Sequence, residues 1–245
     1  MNRQEQKERG RLRKNTVTII SGILIVIVAI VVGLMINAST AQERFTNEIV
    51  AVNLAFDSGN TERIDEVLNR KVSSGDYGKV EESLKHYLRD LVDNMNNINT
   101  LSNQDDLIMA LDGKYLAKTK DELGNVKTKL EEASGKAQEY RTQYEKLYSE
   151  DGAMSYLPEG LEENYRSLFR ENASEFFDDE DLKENYHDMV ALLNGALLME
   201  IDAIGYLDSN KSDWHIADDE LVFETPSVKN GYEKIRNNLS KYTTF

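Results

Sequence analysis

The chain has 245 residues, no cysteine, and 44 acidic against 29 basic residues, a formal net charge of −15. Lack of thiols excludes disulfides, thiolate metal sites, cysteine nucleophiles and a lipidated-cysteine anchor. The acid excess repels phosphate and argues against nucleic acid as a partner.

Residues 1–15 carry Arg3, Lys7, Arg9, Arg11, Arg13 and Lys14 against Glu5 and Glu8, a net of +4. Twenty-one residues without a charge follow, Thr16 to Ile36. At about 1.5 Å rise per residue they make a helix roughly 31 Å long, the thickness of a bilayer's hydrocarbon core. The run predicts a single-pass transmembrane helix over 16–36, with Thr16, Ile19, Leu24, Ile30, Leu34 and Ile36 in lipid. Basic flanks stay cytoplasmic, so Arg9, Arg11, Arg13 and Lys14 mark residues 1–15 as a cytoplasmic tail and place the remainder outside the cytoplasm, in the cell envelope. Removing the leader and its charges leaves 23 basic and 42 acidic residues, a net of −19.

A cleaved signal peptide is the rival, since Ser39-Thr40-Ala41 offers small residues to a peptidase. The apolar run exceeds the roughly 7 to 15 residues of an ordinary signal core, which favours the anchor. Ala29 and Gly33 form a small-xxx-small pair through which two copies could meet as a homodimer.

Beyond the span, apolar residues recur at three- and four-residue steps, which predicts an all-α acidic helical bundle. Phe45, Ile49, Val52 and Phe56 stripe a helical stalk over 37–59. Asn60 or Thr61 caps a short helix facing inward with Ile64, Val67, Leu68 and Val72. Ser73 to Asp76 breaks the chain before the domain's clearest pattern. Val80, Leu84, Tyr87, Leu91, Asn94, Ile98 and Leu101 form one heptad stripe. Leu116, Thr119, Leu123, Val126, Leu130, Ala133, Ala137, Tyr140, Tyr144 and Leu147 form a second. Joined by a modest connection, they predict a coiled-coil-like antiparallel helical hairpin within 60–150.

The second half, 151–245, contains a helix striped by Leu161, Tyr165, Leu168 and Phe169. Asp178 to Asp181 then supply acids at the start of a densely apolar helix, 181–207. Glu200 and Asp202 interrupt it, at an insertion cost of about 2.5 to 3.5 kcal/mol for Asp in lipid. That predicts the core helix of a bundle and not a second span. Trp214-His215-Ile216 and Leu221-Val222-Phe223 flank an acidic turn and predict a small β-hairpin. Thr225 and Pro226 start the last helix.

No arrangement of residues commits the chain to catalysis, and no catalytic, cofactor or metal residue is expected. His86, His187 and His215 are too scattered for a histidine-built zinc site. Asp208 to Asp219 imitates a calcium loop but carries Asp213 where Gly is needed and Asp219 where Glu is usual. Tyr140, Tyr144 and Tyr148 climb one helix at four-residue steps, a ladder that could stack on a glycan, although core packing explains it equally. The chain therefore reads as a membrane-anchored, non-enzymatic envelope protein offering its acidic domain to a protein partner or a structural role. The alternative is a ligand-binding or sensory ectodomain acting through a membrane partner, with Trp214, Asp218 and Asp219 as the interaction or ligand surface. A carboxylate cell-wall hydrolase ranks third.

Overall fold

The computed structural model describes residues 40–243 except 105, 106, 108 and 109. The expected transmembrane helix 16–36, its basic flank and the Ala29/Gly33 pair lie outside the described residues. What is described is predominantly helical, with one two-stranded antiparallel sheet.

The helices are α1 (Thr40–Ser58), α2 (Thr61–Asn69), α3 (Gly75–Ser102), α4 (Gly113–Thr119), α5 (Leu123–Leu147), α6 (Glu150–Met154), α7 (Glu163–Phe177), α8 (Glu180–Ser209) and α9 (Pro226–Thr243). A 3₁₀ turn, Lys120–Glu122, separates α4 from α5, and strands β1 (Trp214–Ala217) and β2 (Glu220–Phe223) precede α9. The chain divides into two compact units of interleaved stretches. The first draws its described residues from 40–96 and 142–185, the second from 97–141 and 186–243.

Local chemistry sets the boundaries. Asn60 caps α2 by accepting from the Arg63 amide, and Asp112 caps α4 by accepting from Lys114 and Tyr115. Ser149 caps α6 through the Gly152 amide, and Asp179 accepts from Leu182 N as α8 begins. Each such bond satisfies an amide that the first helical turn leaves without a partner. Gly75 enters α3 at a φ of +64°, a left-handed backbone that glycine adopts without steric cost.

In the first unit the α1 stripe is packed: Phe45, Ile49, Val52, Ala55 and Phe56 are all buried. The expected stalk thus contributes an apolar face to a folded unit. Val72, expected on the face of α2, instead lies in the loop after it, because that helix ends at Asn69. Tyr87 of α3 is central, with ring contacts to Tyr156, Phe169 and Phe176, and donates to the Leu147 carbonyl at 3.1 Å. Farther along α3, Asn94 reaches back to Gln143. Residue numbers falling on α5 as they rise on α3 fit two helices running antiparallel.

In the second unit Leu116, Leu123, Val126, Leu130, Ala133 and Ala137 pack with Leu197, Ala203, Ile204, Leu207, Trp214 and Tyr232 in one apolar cluster. The hairpin pairs Trp214 with Phe223 and Ala217 with Glu220. Helix α8 is buried at Ala203, Ile204 and Leu207 but leaves Leu198 46% exposed. It is the one described helix long and apolar enough to cross a membrane, with mean hydropathy 1.5, yet only 28% of that window is buried. Its buried positions are Leu182, in the first unit, and Tyr186, Val190, Leu197, Ala203, Ile204 and Leu207, in the second.

Candidate functional site

The densest assembly of chemistry-bearing side chains lies in the first unit. Glu48 on α1 and Glu81 and Lys85 on α3 are all buried, and Arg70 in the α2–α3 loop reaches them from the surface. Lys85 Nζ donates to Glu48 Oε1 at 2.6 Å, to Glu81 Oε1 at 2.8 Å and to the Arg70 carbonyl at 2.8 Å. An ammonium has three donors, and all three are used. The Arg70 guanidinium grips Glu48 from the other side, with Nε at 2.9 Å from Oε1 and Nη2 at 2.8 Å from Oε2. Glu81 also accepts from the Val72 amide at 3.0 Å and the Ser73 amide at 2.6 Å.

Two carboxylates and two cations make the group formally neutral, which is the condition for burying charge without large cost. Burial would push the Glu81 carboxyl upward. Hydrogen bonds from Lys85 and from the Val72 and Ser73 amides outweigh that effect and hold it below its ordinary range. Every donor of Lys85 is committed within the protein. The quartet's chemistry is to fasten α1 and the loop 70–74 to α3.

Beside it, at the start of α1, Phe45 packs 5.8 Å from Tyr77, which meets Tyr165 edge-on at 5.1 Å between ring centroids. Phe45 is buried, whereas Tyr77 and Tyr165 are half-buried. A surface concavity of about 340 Å³ in the same unit is lined by Glu150, Ser167, Arg170, Glu171 and Phe177. Its guanidinium is occupied by Glu150 at 2.7 Å, so the concavity presents no uncommitted cation to an anionic ligand.

The second unit holds the residues singled out as an interaction surface, and the structure separates them. Trp214 is 1% exposed, donates Nε1–H to the Leu207 carbonyl at 2.8 Å, and carries the Lys120 ammonium 4.5 Å above its ring. It is a core residue. Asp218 and Asp219 form the exposed two-residue tip of the hairpin, both in left-handed backbone with φ of 50° and 62°. Asp219 lies 3.4 Å from Lys114.

The other candidates also settle into local roles. Asp208 and Ser209 end α8 and Trp214 to Ala217 form a strand, so the calcium-like stretch is not a loop. No group of three or more metal-ligating side chains occurs among the described residues. Tyr144 and Tyr148 stack on each other at 3.9 Å inside the first unit, and Tyr144 donates to the Leu182 carbonyl, which removes two rungs of the ladder from any glycan. His86 is exposed, and His215 pairs with Glu224 at 2.7 Å on the open hairpin. Asp202 is exposed and Glu200 half-buried, so the two do not form a paired-carboxylate site.

Apolar periodicity passes over the quartet because it registers only apolar positions. Its signal was present: Glu48 falls three residues after Phe45 and one before Ile49, inside the α1 stripe, and Glu81 and Lys85 stand four apart beside Val80 and Leu84. No protein family, curated protein or solved structure matches the chain.

Proposed function

We propose that this chain is a single-pass, membrane-anchored, non-enzymatic protein whose acidic helical region lies outside the cytoplasm and binds another protein of the envelope. The observation that carries the proposal is the charge-free run Thr16 to Ile36 placed directly after a +4 leader. The docking part draws support from α8, whose apolar middle leaves Leu198 46% exposed. Leu192, Leu193, Ala196 and Met199 around it are only half-buried, and a contiguous apolar stretch left partly open suits a contact surface. The net charge of −19 outside the leader suits a partner with a basic patch, bound more weakly as salt rises.

The anchor would confine the partner-binding surface to the bilayer's vicinity and raise its effective concentration for membrane neighbours. Alkaline extraction of membranes and protease treatment of intact cells test the topology. The expected result is a chain that resists extraction and loses everything beyond residue 36 to external protease. Crosslinking in native membranes tests the docking part. One dominant neighbour is expected, lost with Leu198→Lys while the fold is kept. Extraction into the soluble fraction, or a chain shielded from external protease, overturns the topology; unchanged capture by Leu198→Lys overturns that surface.

A further inference from the structure

The proposed span ends at Ile36 and α1 begins at Thr40. Four residues cover at most about 14 Å even when fully extended. Phe45 lies one and a half turns farther on, about 7.5 Å along the helix. The Phe45–Tyr77–Tyr165 cluster is therefore held close to the bilayer by its own chain, at a distance set by covalent geometry.

Two properties of this end suit a lipid headgroup layer. Its half-buried residues are tyrosines, whose rings and hydroxyls favour the boundary between hydrocarbon and water. Its charge also departs from the chain's average. Near the cluster Asp76 pairs with Lys79 at 2.7 Å and Glu163 with Arg166 at 3.7 Å, while Glu43 is followed by Arg44. Arg70 answers the buried Glu48 and Lys71 the exposed Glu82, while Glu162 adds one further exposed acid beside Glu163. In a chain whose outer part carries −19, the acids of this end are matched by cations to within one charge, which weakens its repulsion from anionic lipid. We infer that the Phe45–Tyr77–Tyr165 end of the first unit rests on the outer surface of the bilayer that anchors the chain, with Tyr77 and Tyr165 among the headgroups. This inference rests on the proposed span.

The absence of cysteine makes the test clean, because an introduced cysteine is the sole labelling site. Lys79→Cys and Asp93→Cys are both exposed positions of the first unit on α3, fourteen residues and about 21 Å apart. Each full-length variant carries an environment-sensitive fluorophore and is reconstituted into phosphatidylcholine vesicles with brominated acyl chains. The expected outcome is quenching at residue 79, none at residue 93, and loss of the quenching when Tyr77→Ser and Tyr165→Ser are added to a variant whose circular dichroism is unchanged. Vesicle-protected residues 16–36 with an unquenched label at 79, equal quenching at 79 and 93, or quenching indifferent to both serines overturns the inference and leaves the span standing. Release of the chain from the vesicles at alkaline pH overturns the span and, with it, the inference.

Discussion

Lys85 Nζ lies 2.6 Å from Glu48 Oε1, with 4% and 2% of the respective side chains exposed. One cation on α3 thus neutralises a carboxylate on α1 in a place that water does not reach. Removing it by Lys85→Met leaves Glu48 and Glu81 buried with one cation, Arg70, between them. Breaking a buried pair from one side costs about 3 to 5 kcal/mol. Urea unfolding should show a loss of that order, whereas Lys71→Met, which breaks the exposed Lys71–Glu82 pair, should cost no more than about 1 kcal/mol. Comparable losses for the two would refute the assignment.

The same quartet gives stability a pH dependence. Glu81 is held below its ordinary pKa in the folded chain. The unfolded state therefore binds more protons, and stability rises with pH across the interval between the two values. Glu81's contribution is complete above its unfolded pKa, about 4.3, and is lost as pH falls through the lower folded value. The destabilisation caused by Glu81→Gln should be full at pH 7 and should shrink in unfolding curves recorded progressively below pH 4.3. A difference that stays constant down to acid would show that Glu81 is not held as a charged group.

Trp214 is the sole tryptophan and is buried, so it reports on the second unit by fluorescence. The native emission should be blue-shifted and resistant to acrylamide, turning red and accessible on unfolding. Trp214→Ala should cost about 3 to 5 kcal/mol. Trp214→Phe should cost less, since it keeps an aromatic ring but forfeits the bond to the Leu207 carbonyl.

The hairpin tip invites an opposite change. Asp218 sits at φ 50°, where a side chain is strained and glycine is not. Asp218→Gly should leave stability unchanged or raise it by up to about 1 kcal/mol, and Asp218→Ala should lower it. A thermal melt that ranks alanine above glycine would contradict the turn geometry.

Gly113, the first residue of α4, lies against the backbone at Asp219, where an added Cβ would overlap the carbonyl group. Backbone cannot move aside as a flexible side chain can. Gly113→Ala should therefore lower stability by about 1 to 3 kcal/mol, while Lys114→Ala beside it, which loses a surface ion pair, should change it by no more than about 0.5 kcal/mol. Equal effects in urea unfolding would show that the hairpin does not rest on that glycine.

Local signals carried much of the secondary structure. Asn60 as a cap, the break near Ser73 to Asp76, Pro226 as the first residue of α9 and the strands around Asp218-Asp219 were legible because caps, turns and alternation are properties of neighbouring residues. The heptad stripe from Leu116 ran on without a slip, yet the backbone tightens at Lys120–Glu122. Periodicity records which face is apolar, and a short 3₁₀ turn barely disturbs that face. Trp214 was misread because a tryptophan beside acids looks the same in sequence whether it faces solvent or core.

The sequence by itself determined the helical class, several caps and turns, the charge imbalance and the candidate span, since each follows from composition and short-range spacing. The tertiary structure alone decided that Glu48, Arg70, Glu81 and Lys85 meet, that Trp214 is enclosed and that Phe45, Tyr77 and Tyr165 share one end. Those residues lie far apart along the chain. Which charge loses its water, and which aromatic keeps some, depends on what packs against it from another element.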